Sequence, residues 1–263
     1  MSRLLVLRGS EPLRVRGLLS QFASLFPDAA LFDAAPQGEE MPTKTGKPVS
    51  HDLGFFIDGE PLIQRGKTDE VSAHRALFSL RTDHLMSVTG GPAVLQGVFR
   101  FGSFLCAVAG QLHSNSSIVQ HTADLPLSVR SNLRGRSEVE LFFHHFLSRL
   151  HDADPAYLSL VELPAEVVVA SLCKTLRHAS PVEQAAGILA AVSHGDSVVL
   201  ASVGRASLCY KQNAPDAGAV GPSTLVVGET ENVAACEGFS VVPEGRVLLL
   251  ANRGSKVSVL PFG

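Results

Sequence analysis

At 263 residues, 45% of them hydrophobic and 18% charged, the chain is long enough to bury a sizeable core and too apolar to stay disordered. A net charge of -3 offers no basic face for nucleic acid, and no apolar run reaches the roughly 18 residues of a membrane span. Four cysteines, Cys106, Cys173, Cys209 and Cys236, lie far apart without a C-x-x-C pair, so they read as buried, reduced thiols of an intracellular protein. Zinc needs closely spaced ligands, and neither a metal nor another cofactor is called for.

The chain start carries Arg3, Arg8, Arg14 and Arg16 against the single acid Glu11, a balance also found in organellar transit peptides. It is read as part of the fold, and cytoplasm and mitochondrion both stay open. Residues 4–7 form a short apolar run ending at Gly9-Ser10, which suits a buried strand. Over residues 13–26, Leu18, Leu19, Phe22, Leu25 and Phe26 recur at helical spacing. Residues 33–52 read as a long polar surface loop. Segments 53–57 and 61–64 flank Asp58-Gly59, whose tolerance of positive φ marks a hairpin. Residues 71–80 look helical and 85–88 extended, and Gly90-Gly91-Pro92 breaks the chain. Residues 103–108 read as a strand and 118–129 as an irregular or partly helical connection.

Residues 137–150 give the clearest helix, because Val139, Phe142, Phe143, Phe146, Leu147 and Leu150 fall on one face of a 3.6-residue period. A second helix covers 165–177. A third begins at Ser180-Pro181-Val182-Glu183, where Ser caps, Pro takes the first position and Glu closes a capping box. Gly195-Asp196-Ser197 reads as the turn from that helix into strands at 198–203, 207–211, 225–227, 240–242, 247–251 and 256–260. A loop over 213–223 and tight turns at Pro243-Glu244-Gly245 and Asn252-Arg253-Gly254 separate them. Strands and helices come in blocks, which argues for an α+β layered fold over a doubly wound parallel sheet. No internal repeat or linker divides the chain, so a single domain over 1–263 is expected.

Several short motifs share an order and spacing. The start Met1-Ser2-Arg3-Leu4-Leu5 leads into an apolar strand, and Leu53-Gly54-Phe55-Phe56 leads into Asp58-Gly59-Glu60-Pro61. Ser87-Val88-Thr89, Gly97-Val98-Phe99, Ala109-Gly110 and Gly135-Arg136-Ser137-Glu138 follow, and an apolar residue precedes Pro261 at the close. Along essentially the whole chain this pattern resembles the class II, N-terminal-nucleophile glutamine amidotransferases, in particular the short stand-alone type similar to the ergothioneine-pathway amidohydrolase. The resemblance implies a four-layer αββα sandwich. It also implies the family's Met-Cys-Arg start at Met1-Ser2-Arg3, its His-Val-Arg at Ser87-Val88-Thr89, its His-Pro-Phe turn at Gly97-Val98-Phe99, its Asn-Gly at Ala109-Gly110 and its Thr-Asp-Ser-Glu at 135–138.

The chemistry that goes with such a site is eroded. Glutamine hydrolysis in the family needs a thiolate at the chain start with its own α-amine as base, an oxyanion donor, and clamps for the amino-acid end of glutamine. Position 2 is Ser, and retention of Met1, the expectation here, would leave Ser2 without a free α-amine. Ala109 replaces the Asn that donates to the oxyanion, a loss worth on the order of 10²–10³ in rate. Thr89 replaces the Arg that pairs with the substrate carboxylate, and Arg136 replaces the Asp that holds its ammonium. Of the five site positions Ser2, Thr89, Ala109, Gly110 and Arg136, only Gly110 keeps the family residue.

Other candidates are weaker. His144 and His145 are adjacent on a helix and diverge by about 100°, so they do not chelate together. Glu140 and His144 share a face at i, i+4 and read as a solvated helix face. Arg130, Arg134 and Arg136 form a basic cluster, read as a solvated loop, with contact to an anionic ligand or acidic partner as the alternative. No HExxH, P-loop, G-x-G-x-x-G or G-x-S-x-G motif occurs. The expected function is therefore a catalytically inactive amidotransferase-like protein serving other protein subunits as a structural or accessory component. An active or ligand-binding amidohydrolase of altered specificity using Ser2, or a regulatory partner of an active paralogue, is the alternative.

Overall fold

The computed structural model describes residues 3–14, 50–67, 81–89, 96–112, 122–135, 137–160, 162–179, 187–213, 223–229, 238–251 and 253–262. Its strands are β1 (Arg3–Arg14), β2 (Ser50–Ile57), β3 (Glu60–Lys67), β4 (Arg81–Thr89), β5 (Gln96–Phe101) and β6 (Phe104–Gly110), then β7 (Ile188–His194), β8 (Ser197–Val203), β9 (Ser207–Asn213), β10 (Ser223–Glu229), β11 (Ser240–Val241), β12 (Arg246–Ala251) and β13 (Lys256–Pro261). They form two antiparallel sheets, a seven-stranded one ordered β11-β9-β10-β1-β4-β2-β3 and a six-stranded one ordered β13-β12-β8-β7-β6-β5. The described α-helices are α1 (Leu127–Arg130), α2 (Glu138–Ala153) and α3 (Ala165–Ala179). None of them is long and apolar enough to cross a membrane.

The run 4–7 lies on β1, at the centre of the seven-stranded sheet, and is apolar throughout because both of its faces are covered. Leu4 and Val6 point between the sheets, into a core shared with Met86, Val88, Val98, Leu105, Ala107 and Leu189. Leu5 and Leu7 alternate onto the other face, where they are buried with Phe55, Leu85, Leu225 and Val227. On the far side of the six-stranded sheet, Phe104, Cys106 and Val108 meet the α2 stripe Val139, Phe142, Phe146 and Leu150 together with Leu172 and Leu176 of α3. Burial of each such phenylalanine contributes roughly 1.5–3 kcal/mol. These layers match the expected sandwich: sheet on sheet, with helices outside.

Asp58 (φ 50°) and Gly59 (φ 82°) make the tight β2–β3 turn that the Asp-Gly pair dictates. That hairpin is strapped to the edge of the other sheet through both backbone groups of one residue, Val98. Asp52 Oδ2 accepts from the Val98 N–H at 3.2 Å, and Arg65 Nη2 donates to the Val98 carbonyl at 3.3 Å. Arg65 Nε lies 3.4 Å from the same Asp52 oxygen, and Arg100 Nη1 donates to the Pro61 carbonyl at 2.7 Å. Burial raises the Asp52 carboxyl above its ordinary range, against the opposing pull of the Val98 N–H and Arg65. Gly54 makes the close approach possible, since a Cβ there would sit 2.7 Å from Val98 Cγ1.

The structure corrects several expectations. Leu13 and Arg14 close β1 instead of opening a helix, and Ser50 to Asp52 belong to β2 instead of a loop. Gly97-Val98-Phe99 is no turn; it lies inside β5, paired with β6. Gly195 (φ 57°) and Asp196 link β7 to β8, strand to strand, because Ile188–His194 is a strand buried along its whole length. Residues 15–26, 71–80, 90–92 and 180–183 lie outside the described residues, and the helices and chain break expected there go with them.

Candidate functional site

The expected site positions come from three strand ends and one helix start. β1 enters its sheet with Arg3 opposite Glu229 on one side and Thr89 on the other. Arg3 is locked there by Glu229, whose Oε1 lies 2.8 Å from Nε and 2.6 Å from Nη2. Thr89 also pairs through its backbone with His51 of β2; its side chain lies outside the described residues. In the second sheet, β6 ends at Ala109-Gly110 between Gln96 of β5 and Leu189 and Ile188 of β7. Ala109 is fully buried in the apolar cluster that holds Leu4, Val88 and Leu189, so the start of β1 and the ends of β4 and β6 lie at one end of the sandwich. Directly across from Ala109, Gln96 is a buried polar side chain that the sequence reading did not single out.

Gly110 is required by shape. Its φ of 128° is one that L residues rarely adopt, and a Cβ would strike the Gly187 carbonyl oxygen and come within 2.8 Å of Ile188 Cα.

Ser137, expected as the first residue of the helix, instead caps α2, with its side chain accepting from the Glu140 N–H at 3.3 Å. The Glu140 carboxylate turns back to accept from the N–H groups of Arg134 at 2.8 Å and Gly135 at 2.7 Å. An internal anion thus fixes the turn that precedes the helix. The solvated-face reading of Glu140 and His144 is overturned, because both are buried. His144 donates through Nδ1 to the Glu140 carbonyl at 2.9 Å, so it pins its own helix. The Ser137-x-x-Glu140 spacing of a capping box was the available signal for this clamp.

Arg130 and Arg134 are exposed, as a solvated loop requires, and Arg130 Nη1 donates to the Ala123 carbonyl at 3.4 Å. Ser2 and Arg136 lie outside the described residues. Of the five positions, the structure therefore places Ala109 and Gly110 in full and Thr89 by its backbone. Among the described residues, no three His, Cys, Asp or Glu side chains gather as a metal site would need. Cys106, Cys173 and Cys209 are buried, and burial raises the Cys106 thiol far out of its reactive range.

No family model matches the chain, and no curated protein does. Solved structures do match. A glutamine aminotransferase class-II domain protein from Silicibacter pomeroyi aligns over 99% of both chains at 14% identity with a TM-score of 0.60. A predicted glutamine amidotransferase from Pseudomonas aeruginosa aligns over 97% of this chain and 98% of its own at 14% identity, TM-score 0.58. Glutamine phosphoribosylpyrophosphate amidotransferase from B. subtilis matches 99% of this chain with 49% of its own length at 13% identity, TM-score 0.59. Two stacked antiparallel sheets, a central first strand and a capped helix beside the Ala109-Gly110 strand end together give this chain the fold of the class II, N-terminal-nucleophile glutamine amidotransferases.

Proposed function

We propose that the protein is an amidotransferase-fold subunit without glutaminase activity, retained for its part in a larger protein assembly. The observation that carries this reading is Ala109. Its methyl group is sealed among Leu4, Val88 and Leu189, where the fold's glutamine-hydrolysing members are expected to present a side-chain amide to the oxyanion. A methyl group offers no hydrogen to an oxyanion, and Ala109 belongs to an apolar cluster. The residue changes at Ser2, Thr89 and Arg136 point the same way. A fold outlives its site because the core that specifies it, here Leu4, Val6, Phe142 and their neighbours, is built from other residues.

The test is glutamine turnover by the purified full chain, read as ammonia and glutamate, beside Ser2→Ala. No release above background is expected from either. Release by the parent chain that Ser2→Ala abolishes would replace this reading with a serine-dependent amidohydrolase. For the assembly role, the chain isolated from its own cells is expected in a complex of fixed stoichiometry; a monomer at native abundance would count against it.

A further inference from the structure

At the end of the sandwich away from Ala109, the inner face of the seven-stranded sheet turns polar. Arg8 of β1 stands directly opposite His84 of β4 and Thr224 of β10, and all three are buried. Each reaches across to the second sheet. Arg8 Nη2 lies 3.5 Å from Asp196 Oδ1 in the β7–β8 turn, while Nη1 lies 3.4 Å from Asp83 beside it. Thr224 Oγ1 donates to the Gly254 carbonyl in the β12–β13 turn at 2.8 Å. His84 Nδ1 lies 3.0 Å from Ser193 Oγ of β7. The two turns are joined in turn by Arg253, whose N–H donates to the Asp196 carbonyl at 3.4 Å and whose Nε lies 3.2 Å from Asp196 Oδ1.

We infer that this row is an acid-sensitive latch between the two sheets, in which a proton taken up by His84 releases the β7–β8 and β12–β13 turns from β1 and β4. His84 and Arg8 are directly opposed cross-strand neighbours on one face, so a charged imidazole would share this buried row with a guanidinium. Among the described residues, the charged groups around it are Arg8 from β1, Asp83 from β4 itself, Asp196 from the β7–β8 turn and Arg253 from the β12–β13 turn. The two carboxylates already match the two arginines, so an added proton has no counter-charge. The remaining neighbours offer none: β2 stacks Phe56 on the ring at 5.0 Å, and β7 and β10 present Ser193 and Thr224. Opening this end breaks the 3.5 Å Arg8–Asp196 contact and the Thr224–Gly254 and His84–Ser193 hydrogen bonds, and admits water to His84. Elsewhere the inner face is mostly apolar; its other charged bridge, Asp52 with Arg65 on Val98, lies on the β2–β3 hairpin and carries no histidine.

The sign follows from which state binds the proton. Burial and Arg8 hold His84 well below its ordinary value of 6.5, so above that pH it is neutral whether the latch is closed or open. As the pH falls below it, only the open state takes the proton, and opening becomes favoured by about tenfold per pH unit.

Amide hydrogen exchange of the full chain between pH 7.5 and 5.0, each rate divided by its intrinsic rate, tests this. Protection at the Arg253 and Gly254 amides is expected to fall about tenfold per unit below pH 6.5, with Ala109 at the other end unchanged. In His84→Gln, which cannot charge, the local fall should vanish; His84→Phe, which keeps the stack on Phe56, is the second uncharged variant. An equal fall at Ala109, or a local fall that survives in whichever variant folds, would overturn the latch.

Discussion

Replacement of Gly110 by alanine separates two costs that are usually confounded, and Gly59 provides the control. Both glycines have positive φ, 128° and 82°, so a side chain at either costs about 1–3 kcal/mol in backbone strain. At Gly59 nothing lies within 4 Å of the new Cβ, and strain is the whole effect. At Gly110 the Cβ meets the Gly187 carbonyl oxygen and Ile188 Cα, backbone atoms that cannot rotate aside. β6 and β7 must then part locally, losing on the order of two backbone hydrogen bonds at ~1 kcal/mol each. The entropy that alanine removes from the unfolded chain favours both variants alike and cancels in the comparison. Gly110→Ala is therefore expected to cost about 2 kcal/mol more than Gly59→Ala. At about 2–4 °C per kcal/mol for a chain of this size, that separates their melting temperatures by roughly 4–8 °C. Thermal unfolding followed by far-UV circular dichroism reads it directly. Equal shifts in the two variants would refute the claim that the β6 end is seated against Gly187.

Ala109→Asn buries an amide in the apolar cluster of Leu4, Val88 and Leu189; it is expected to cost about 1–3 kcal/mol in urea denaturation and to confer no ammonia release from glutamine. Glutaminase activity in that variant would mean that the oxyanion donor was the sole missing part. Glu140→Gln leaves one of the Arg134 and Gly135 N–H groups with a neutral acceptor and the other with none, for an expected loss of about 1–3 kcal/mol and faster exchange at those two amides. Stability equal to the parent would return Glu140 to the solvated face.

The parts of the fold that were legible in sequence are those with local punctuation. Asp58-Gly59, Gly245 and Arg253-Gly254 hold positive φ in tight turns; β12 and β13 lie close to their expected bounds, while β2 and β3 run three residues further from their turn than expected. The α2 stripe was readable because one face is buried while residues such as Asp152 remain exposed. β7 was not, since Ile188–His194 is buried on both faces and so carries no period that tells strand from helix. A cap signal at Ser180 then tipped the reading to helix. β5 was hidden by likeness to a turn motif at Gly97-Val98-Phe99, although it pairs with β6 across the two-residue turn Gly102-Ser103, where Gly102 holds a φ of 55°. At the site, Gly110 and Ala109 were found from motif order alone. The burial of Glu140 escaped because charge suggests solvent, and only tertiary placement shows two backbone N–H groups waiting for that carboxylate.

The Asp52–Arg65 strap has a consequence for how the molecule behaves in a crowd. β5 is the last strand of the six-stranded sheet, and its outward peptide groups are the kind of template on which a foreign strand adds. At Val98 both the N–H and the carbonyl are already taken, by a carboxylate and a guanidinium that imitate the missing neighbour. An incoming chain would have to displace an ion pair before forming its first bond there. The opposite edge, β13, has no such strap among the described residues and is bounded instead by Lys256 and Pro261, a charge at one end and a residue without an N–H at the other. The two margins of one sheet thus guard against self-association by different chemistry, one through side chains borrowed from the other sheet and one through its own sequence.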